Sequence, residues 1–422
     1  MYSGRWLMGE ERYHVVVVGG GPAGLFTAWK LAEKGVQVLV LEEHSEIGKP
    51  VQCAGLVTPR VFEMVGLSKK HGLPVKGAVV HPPEGEPISF KAKVPKALVL
   101  ERTLLDQHIA YKAVKKGAEL SLRTKFLGFK RKEKDKLELT ALTPKGKKRI
   151  ETKILVGADG FYSKVRKLAS LHEPEKTMVG FQVDYSGSLP KDFDRESVFL
   201  YLGRRYAPDF FAWVIPLAEG VRVGLSHNPF WKRKRKEKGL GSEKRKERNA
   251  LELYKLFVKE KLSSLLSNMS PLRLTAGAIP FGPLKQFTHH NIVLVGDAAA
   301  QVKATSGGGV YTSLASVEEL VPVLLKALEK ENYTKEFLSL YQKRWTKGIG
   351  KELRKAYILH KAFTRMSDAR LSEFICLLNQ KEIIEIIEKE GDIDYPSRLA
   401  FSIFKRKPQL IKFSPALLNS FI

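Results

Sequence analysis

Residues 13–24 read YHVVVVGGGPAG, and their order decides the fold. Val15, Val16, Val17 and Val18 make a short apolar, β-branched run suited to a parallel sheet covered on both faces. Gly19, Gly21 and Gly24 follow in G-x-G-x-x-G spacing, with Pro22 and Ala23 inside the turn. Next comes LFTAWKLAEKG, apolar at helical spacing and stopped by Gly35. A second apolar run, 36–41, ends on the acidic pair Glu42 and Glu43. Strand, glycine turn, helix, strand and acid in this order are what a dinucleotide cradle requires. The first glycine permits the tight turn, and the second lets backbone reach a pyrophosphate. The third lets helix and strand pack closely, so that the helix N-terminus faces the phosphates. Glu42 is placed to accept hydrogen bonds from the adenosine ribose hydroxyls. An ordinary β–turn–α unit would leave Glu42 unexplained. The turn by itself does not separate NAD, NADP and FAD.

The chain has 422 residues, enough for one large core or two to three modest domains. Hydrophobic residues make up 43% and no apolar run has the length of a membrane-spanning helix, which describes a globular protein expected in the cytoplasm. The first 12 residues lack a hydrophobic signal core and read as a flexible lead-in. Net charge is +27, from 72 Lys plus Arg against 45 Asp plus Glu, which favours an anionic partner or a heavily solvated surface. Two distant cysteines exclude a disulfide framework, and no Cys/His spacing suggests a metal.

Along the chain, 45–55 reads as a loop and a helix begins near Pro59. Two short strands are expected within 74–100, then an amphipathic helix over 102–120. Alternating strands lead into Gly157-Ala158-Asp159-Gly160. Period-two alternation over 177–228 predicts an antiparallel sheet. A strand pair is expected around LRLTAGAIPFGPL, and another buried strand ends on Gly296-Asp297. The fold class is therefore α/β: a discontinuous Rossmann-like βαβ domain over 13–73, 101–176 and 286–330. A substrate-binding antiparallel sheet occupies 74–100 and 177–285, with a basic insertion at 231–248, and a helical region fills 331–422.

Three motifs narrow the cofactor. Arg102 follows a strand and opens a helix, Asp159-Gly160 follows a strand, and Gly296-Asp297 precedes the turn Ser306-Gly307-Gly308-Gly309 and a helix starting near Val310. With the glycine turn, this set resembles the para-hydroxybenzoate-hydroxylase-like FAD-dependent oxidoreductases. The resemblance implies that the G-x-G-x-x-G holds the ADP half of FAD and that Asp297 binds the ribityl chain. It also implies that Arg102 reaches the FAD phosphates, and that Asp159-Gly160 serves the pyrophosphate side or an NAD(P)H path. Gly307, Gly308 and Gly309 would lie beside the pyrimidine edge, with the following helix dipole directed at the flavin.

The loop Pro50-Val51-Gln52-Cys53-Ala54-Gly55 resembles that of the geranylgeranyl reductase family, which implies that Gln52, Cys53 and Ala54 lie beside the flavin. The family's Y-x-W-x-F-P strand motif has a counterpart in Phe211-Ala212-Trp213-Val214-Ile215-Pro216, departing at its first and fifth positions. GDIDYPSRL, 391–399, is also similar to the family's C-terminal segment. The implied activity is reduction of prenyl double bonds. Cys53 would deliver the proton or hold the reactive pose, and Phe211, Trp213, Ile215 and Pro216 would line the substrate channel. Phe181, Phe199 and Tyr201 are further candidates for its walls. The alternative is an aromatic monooxygenase or halogenase, since halogenases carry W-x-W-x-I-P at a comparable place. An RNA-acting or electron-transfer flavoprotein is a lesser competitor. The electron donor is either NAD(P)H or a ferredoxin-like protein, because no second complete G-x-G-x-x-G unit occurs.

Cys376 reads as core on an amphipathic helix, and His227, just past the sheet, is the one histidine worth testing. The basic run holds ten Lys/Arg against three Glu. It is either a solvated loop or a peripheral contact with anionic lipid at a membrane surface. Nucleic acid is disfavoured because no aromatics are interleaved to stack bases. Oligomeric state is left open.

Overall fold

The structure, a computed structural model, describes residues 11–132, 135–230 and 248–413. The valine run forms strand β1 (Glu11–Val18), the glycine turn leads into helix α1 (Pro22–Ala32), and β2 (Val38–Leu41) follows. Val15, Val16 and Val17 are fully buried, each worth about 1.5–3 kcal/mol of apolar burial. β1 sits between β2 and the strand Gly146–Gly157, parallel to both. The sheet continues in parallel to Ile292–Leu294 on one side and Glu119–Ser121 on the other. A segment nearly 300 residues from β1 thus completes its sheet, as a discontinuous domain requires. β1 begins at Glu11, because Glu11 and Arg12 pair with Ile150 and Glu151. This takes two residues from the expected lead-in; the rest of it, 1–10, lies outside the described residues, as does the basic run except Arg248.

The second sheet has seven strands in the order Met269–Phe281, Lys176–Gly187, Gly220–His227, Phe211–Leu217, Ser197–Leu202, Gly77–His81 and Ile88–Lys91. It is antiparallel except where Ser197–Leu202 runs parallel to Gly77–His81. The expected strand pair near 272–284 is a single edge strand, Met269–Phe281. Its prolines are tolerated because an edge strand has one side without ladder partners. The 74–100 region supplies four strands rather than two. Gly77–His81 and Ile88–Lys91 join the large sheet, while Leu73–Val75 and Ala97–Val99 build a three-stranded sheet with Leu56–Val57. That small sheet lies directly after the cysteine loop.

The C-terminal helices do two jobs. Lys335–Lys347 packs on the dinucleotide domain, burying Tyr341 and Trp345 completely. Asp368–Leu378, Lys381–Glu390 and Pro396–Arg406 cover the edge of the large sheet through Leu371, Ile375, Ile383, Ile387 and Ile403, against Ile88 and Leu202. Cys376 is exposed rather than core, since Leu371, Ile375 and Leu378 form the buried stripe of its helix. Among the described residues, no helix is long and apolar enough to cross a membrane.

Candidate active site

The three glycines of the first turn have distinct tasks. A Cβ on Gly19, whose φ is +108°, would stand 2.3 Å from the Ala158 carbonyl oxygen. One on Gly24 would stand 2.0 Å from the Gly19 carbonyl oxygen. These two are glycine because backbone closes on them. A Cβ on Gly21 would meet nothing within 4 Å. Gly21 is also the N-cap of α1, with Pro22 at the helix start and no side-chain cap. Open space thus lies at the start of α1, whose first N–H groups have no side-chain cap, the arrangement that receives a phosphate. Glu42 stands at the end of β2, where its Oε2 accepts the Gly20 N–H at 2.6 Å and its Oε1 accepts the His44 N–H at 2.9 Å. Glu43, in the bend beyond β2, is instead in an ion pair with Lys125 at 2.8 Å.

At the far end of the cleft, Gly296 adopts φ +69° and Asp297 follows it. The turn is held from behind: the Gln301 side chain accepts the Gly296 N–H at 2.8 Å and donates to the Tyr341 hydroxyl at 2.8 Å. A Cβ on Gly309 would come 3.0 Å from the Asp297 Oδ1, so Asp297 lies against the start of the helix Val310–Glu329, which has no side-chain cap. Burial pushes the Asp297 carboxyl up to about 6, against the opposing pull of the Arg102 cation. A carboxylate in this position suits donors such as ribityl hydroxyls. Together with the open Gly21 cradle, it shows that the residues present fit FAD.

That raised carboxyl has a consequence for stability. Between the ordinary value of 3.8 and about 6 the folded, FAD-free protein holds a proton that the unfolded chain has released. Its contribution is full below 3.8 and is lost as pH rises through about 6. Asp297→Asn is expected to abolish that slope, to raise FAD-free stability at neutral pH by up to about 3 kcal/mol, and to weaken FAD binding. Urea unfolding on both sides of the window, with a flavin titration, checks it.

Arg102 opens the helix Arg102–Lys115 and makes a bidentate pair with Asp106, Nη2 donating to both carboxylate oxygens at 3.0 Å. Burial lowers its pKa, but Asp106 and Cys53 beside it raise it further. The structure thus groups Arg102, Cys53 and Asp297, a grouping that the sequence motifs do not reveal. Asp159 is different. Its carboxylate accepts Ser163 Oγ at 2.6 Å and the Val165 N–H at 3.0 Å, capping the helix Lys164–Leu168. Its oxygens are engaged locally, and Gly160 provides only a left-handed turn at φ +70°.

The cysteine loop rests on the large sheet. Gln182 Nε2 donates to the Cys53 carbonyl at 3.0 Å, and Arg222 Nη1 donates to the Ala54 carbonyl at 2.5 Å. Arg222 is itself buried and paired with Asp184 at 2.6 and 2.8 Å. The Cys53 Sγ accepts the Gly55 N–H at 3.4 Å, and Gln52 lies over Gly277. Gln182, Asp184 and Arg222 were missed in the sequence. The available signal was a charged residue inside each of two otherwise apolar strands, QVDY and VRVGL.

Strand register sorts the expected channel residues onto two faces. Trp213 pairs with Gly224, and a Cβ on Gly224 would strike the indole at 2.6 Å, so this glycine makes room for the ring. Trp213 contacts the cluster containing Ala54 and Leu56 and also the cluster containing Phe210, Val302 and Ile279. Phe211 stacks on Phe210 at 4.1 Å, and Gly307 faces Phe210 and Ile279. Trp213 and Phe211 therefore form an apolar wall between the cysteine loop and the glycine-rich turn. Ile215 shares their face but is 3% exposed, packed against Val198 and the small sheet. Pro216 pairs with Val221 and so projects to the opposite face. Phe181, Phe199 and Tyr201 also lie there, packed with Tyr254 and Phe257. His227 shares that side, two residues beyond Leu225, and burial lowers its pKa.

Comparison with known proteins gives the family and the fold. The FAD binding domain family matches residues 12–347. Digeranylgeranylglycerophospholipid reductase 2 of Methanothermobacter thermautotrophicus is 30% identical over 403 residues, covering 92% of this chain and 98% of its own. A geranylgeranyl bacteriochlorophyll reductase-like protein of Thermoplasma acidophilum superposes with a TM-score of 0.81 at 23% identity, over 97% of this chain and 100% of the other. The flavin-dependent brominase Bmp2 shares the fold with a TM-score of 0.69 at 16% identity, over 94% of this chain and 100% of the other.

Proposed function

We propose that this chain, which belongs to the FAD binding domain family and within it to the geranylgeranyl reductases, saturates isoprenoid double bonds of a membrane lipid or a prenyl diphosphate. One observation carries the reading. The cysteine loop, clamped by Gln182 and Arg222, faces an apolar wall of Trp213 and Phe211 beside the glycine-rich turn. A prenyl alkene has no polar handle, so its position must be set by apolar contact of this kind. Bound and reduced, FAD supplies the hydride. The chain does the rest. The Gly21 cradle and Glu42 hold the ADP half, and Asp297 holds the ribityl chain. Trp213 and Phe211 exclude water and align the alkene. The Cys53 thiol gives its proton to the second alkene carbon and is reprotonated from solvent.

The electrons come from NAD(P)H bound transiently or from a ferredoxin-like protein. The substrate is collected in the cytoplasm at a membrane surface, where the basic segment 231–248 meets anionic head groups, each near-surface Lys or Arg contributing about 1 kcal/mol. Flotation with anionic vesicles at low salt is the expected result; RNA binding without flotation would contradict that partner. For the reaction itself, the protein reduced with dithionite without oxygen is given a digeranylgeranyl lipid. The product is expected to gain a pair of hydrogens at each saturated double bond, and recovery of unaltered lipid would count against the proposal. The oxygen-activating alternative, on a fold also found in the brominase, predicts product only when oxygen is admitted.

A further inference from the structure

A buried polar cluster outside the residues assigned above ties the C-terminal region to the glycine-rich turn. Lys303 closes that turn with its backbone: its carbonyl accepts the Gly307 N–H at 2.8 Å, and its N–H donates to the Gly308 carbonyl at 3.2 Å. Its side chain runs beneath the turn, where a Cβ on Gly308 would lie 3.5 Å from the ammonium nitrogen. That ammonium is 4% exposed and donates to Asp394 Oδ1 at 2.5 Å and to the Ile393 carbonyl at 3.1 Å.

Asp394, 1% exposed, serves a second loop as well. Its Oδ2 accepts Thr58 Oγ1 at 2.5 Å and Arg60 Nη1 at 3.3 Å. Thr58 directly follows the strand Leu56–Val57 that ends the cysteine loop. Arg60 also pairs with Asp392 at 2.7 Å, and the Asp394 N–H donates to Asp392 Oδ1 at 2.9 Å. One carboxylate therefore joins the two loops that flank the flavin end of the cleft, although it is carried by a connection between C-terminal helices. A buried ammonium has a large desolvation cost unless it is paired, so the turn above Lys303 depends on Asp394 being docked.

We propose that the Lys303–Asp394 pair sets both the shape and the charge of the glycine-rich turn, making Asp394 a positioning residue for the flavin. The proposal rests on FAD binding and is independent of which substrate is reduced. With Asp394 in place the cation is balanced. Without it the turn carries an uncompensated positive charge, which favours the flavin state holding extra electrons. Without Lys303 the opposite charge remains.

The test uses the full chain as wild type, Asp394→Asn, Lys303→Met and, for loop docking alone, Asp392→Asn. Circular dichroism of the FAD-free proteins establishes folding, fluorescence titration gives the FAD dissociation constant, and dye-linked titration gives the midpoint potential of the bound flavin. Both Asp394→Asn and Lys303→Met are expected to weaken FAD binding about tenfold or more. The potential should rise in Asp394→Asn and fall in Lys303→Met, with Asp392→Asn close to wild type. Unchanged affinity, or potentials displaced in the same direction, overturns the proposal, because a merely structural brace has no reason to move them oppositely. If Asp394→Asn does not fold, Lys303→Met decides: a lowered potential supports the proposal and an unchanged one overturns it. A wild-type chain that binds no FAD would instead contradict the cofactor reading.

Discussion

Cys53→Ala is expected to bind FAD as the wild type does and to reduce prenyl double bonds about 10²–10³-fold more slowly, the usual effect of losing a positioned proton donor. The two halves of that expectation have separate physical grounds. The loop is held through backbone carbonyls, that of Cys53 by Gln182 and that of Ala54 by Arg222, and neither bond involves the thiol. Removing Sγ costs its contacts with the Gly55 N–H and with the Arg102 guanidinium, and leaves the bonds that hold the loop in place. The chemistry, by contrast, loses the polar group of the loop that stands beside the Arg102 cation. A proton donor works best when the charge it leaves behind is stabilised, and the Arg102 guanidinium is placed to do so. The other thiol, exposed Cys376, lies on a C-terminal helix. Flavin absorbance after gel filtration measures the first half, and the rate of lipid reduction measures the second. An undiminished rate would mean that solvent or another group supplies the proton.

Gly24→Ala is expected to destabilise the protein by about 3 kcal/mol or more and to abolish FAD binding. The added methyl would stand 2.0 Å from the Gly19 carbonyl oxygen, 3.1 Å from Val17 and 3.2 Å from Ala158. The nearest of these is backbone of the turn between β1 and α1, so relief requires moving α1 away from β1. Gly21→Ala provides the contrast. Its methyl would enter open space, so the fold should persist with near wild-type thermal stability. The same methyl intrudes where the phosphates approach, so FAD affinity should still fall. Thermal unfolding of the FAD-free proteins with a flavin titration separates the two effects. Equal stability of both variants would contradict the close packing described for Gly24.

These two glycines also mark how far the sequence can be read. Spacing identified the cradle because strand, turn, helix and acid are local and their order is dictated by phosphate chemistry. The position of Asp297, after a buried strand and before a glycine-rich turn, was legible for the same reason. What the sequence hides is the meeting of distant segments. Asp394 and Thr58 are 336 positions apart and share a 2.5 Å hydrogen bond that no periodicity signals. Side-chain direction was the other weak point. Glu43 and Pro216 occupy plausible motif positions, yet Glu43 is engaged by Lys125 and strand alternation turns Pro216 away from the cleft. Asp159 follows a strand as a cofactor residue would, but Ser163 and Val165 engage its oxygens in a helix cap. The strand pair expected around 272–284 is one edge strand, Met269–Phe281, whose place at the sheet margin lets it run on through Pro280.

The central claim is that electrons pass from reduced flavin to a carbon–carbon double bond beside Cys53. The most direct measurement mixes the anaerobically reduced protein with a digeranylgeranyl lipid and follows the return of oxidised-flavin absorbance. The predicted result is reoxidation without oxygen, dependent on the lipid and strongly slowed in Cys53→Ala. Flavin that stays reduced with the lipid and reoxidises only when oxygen is admitted would contradict the account.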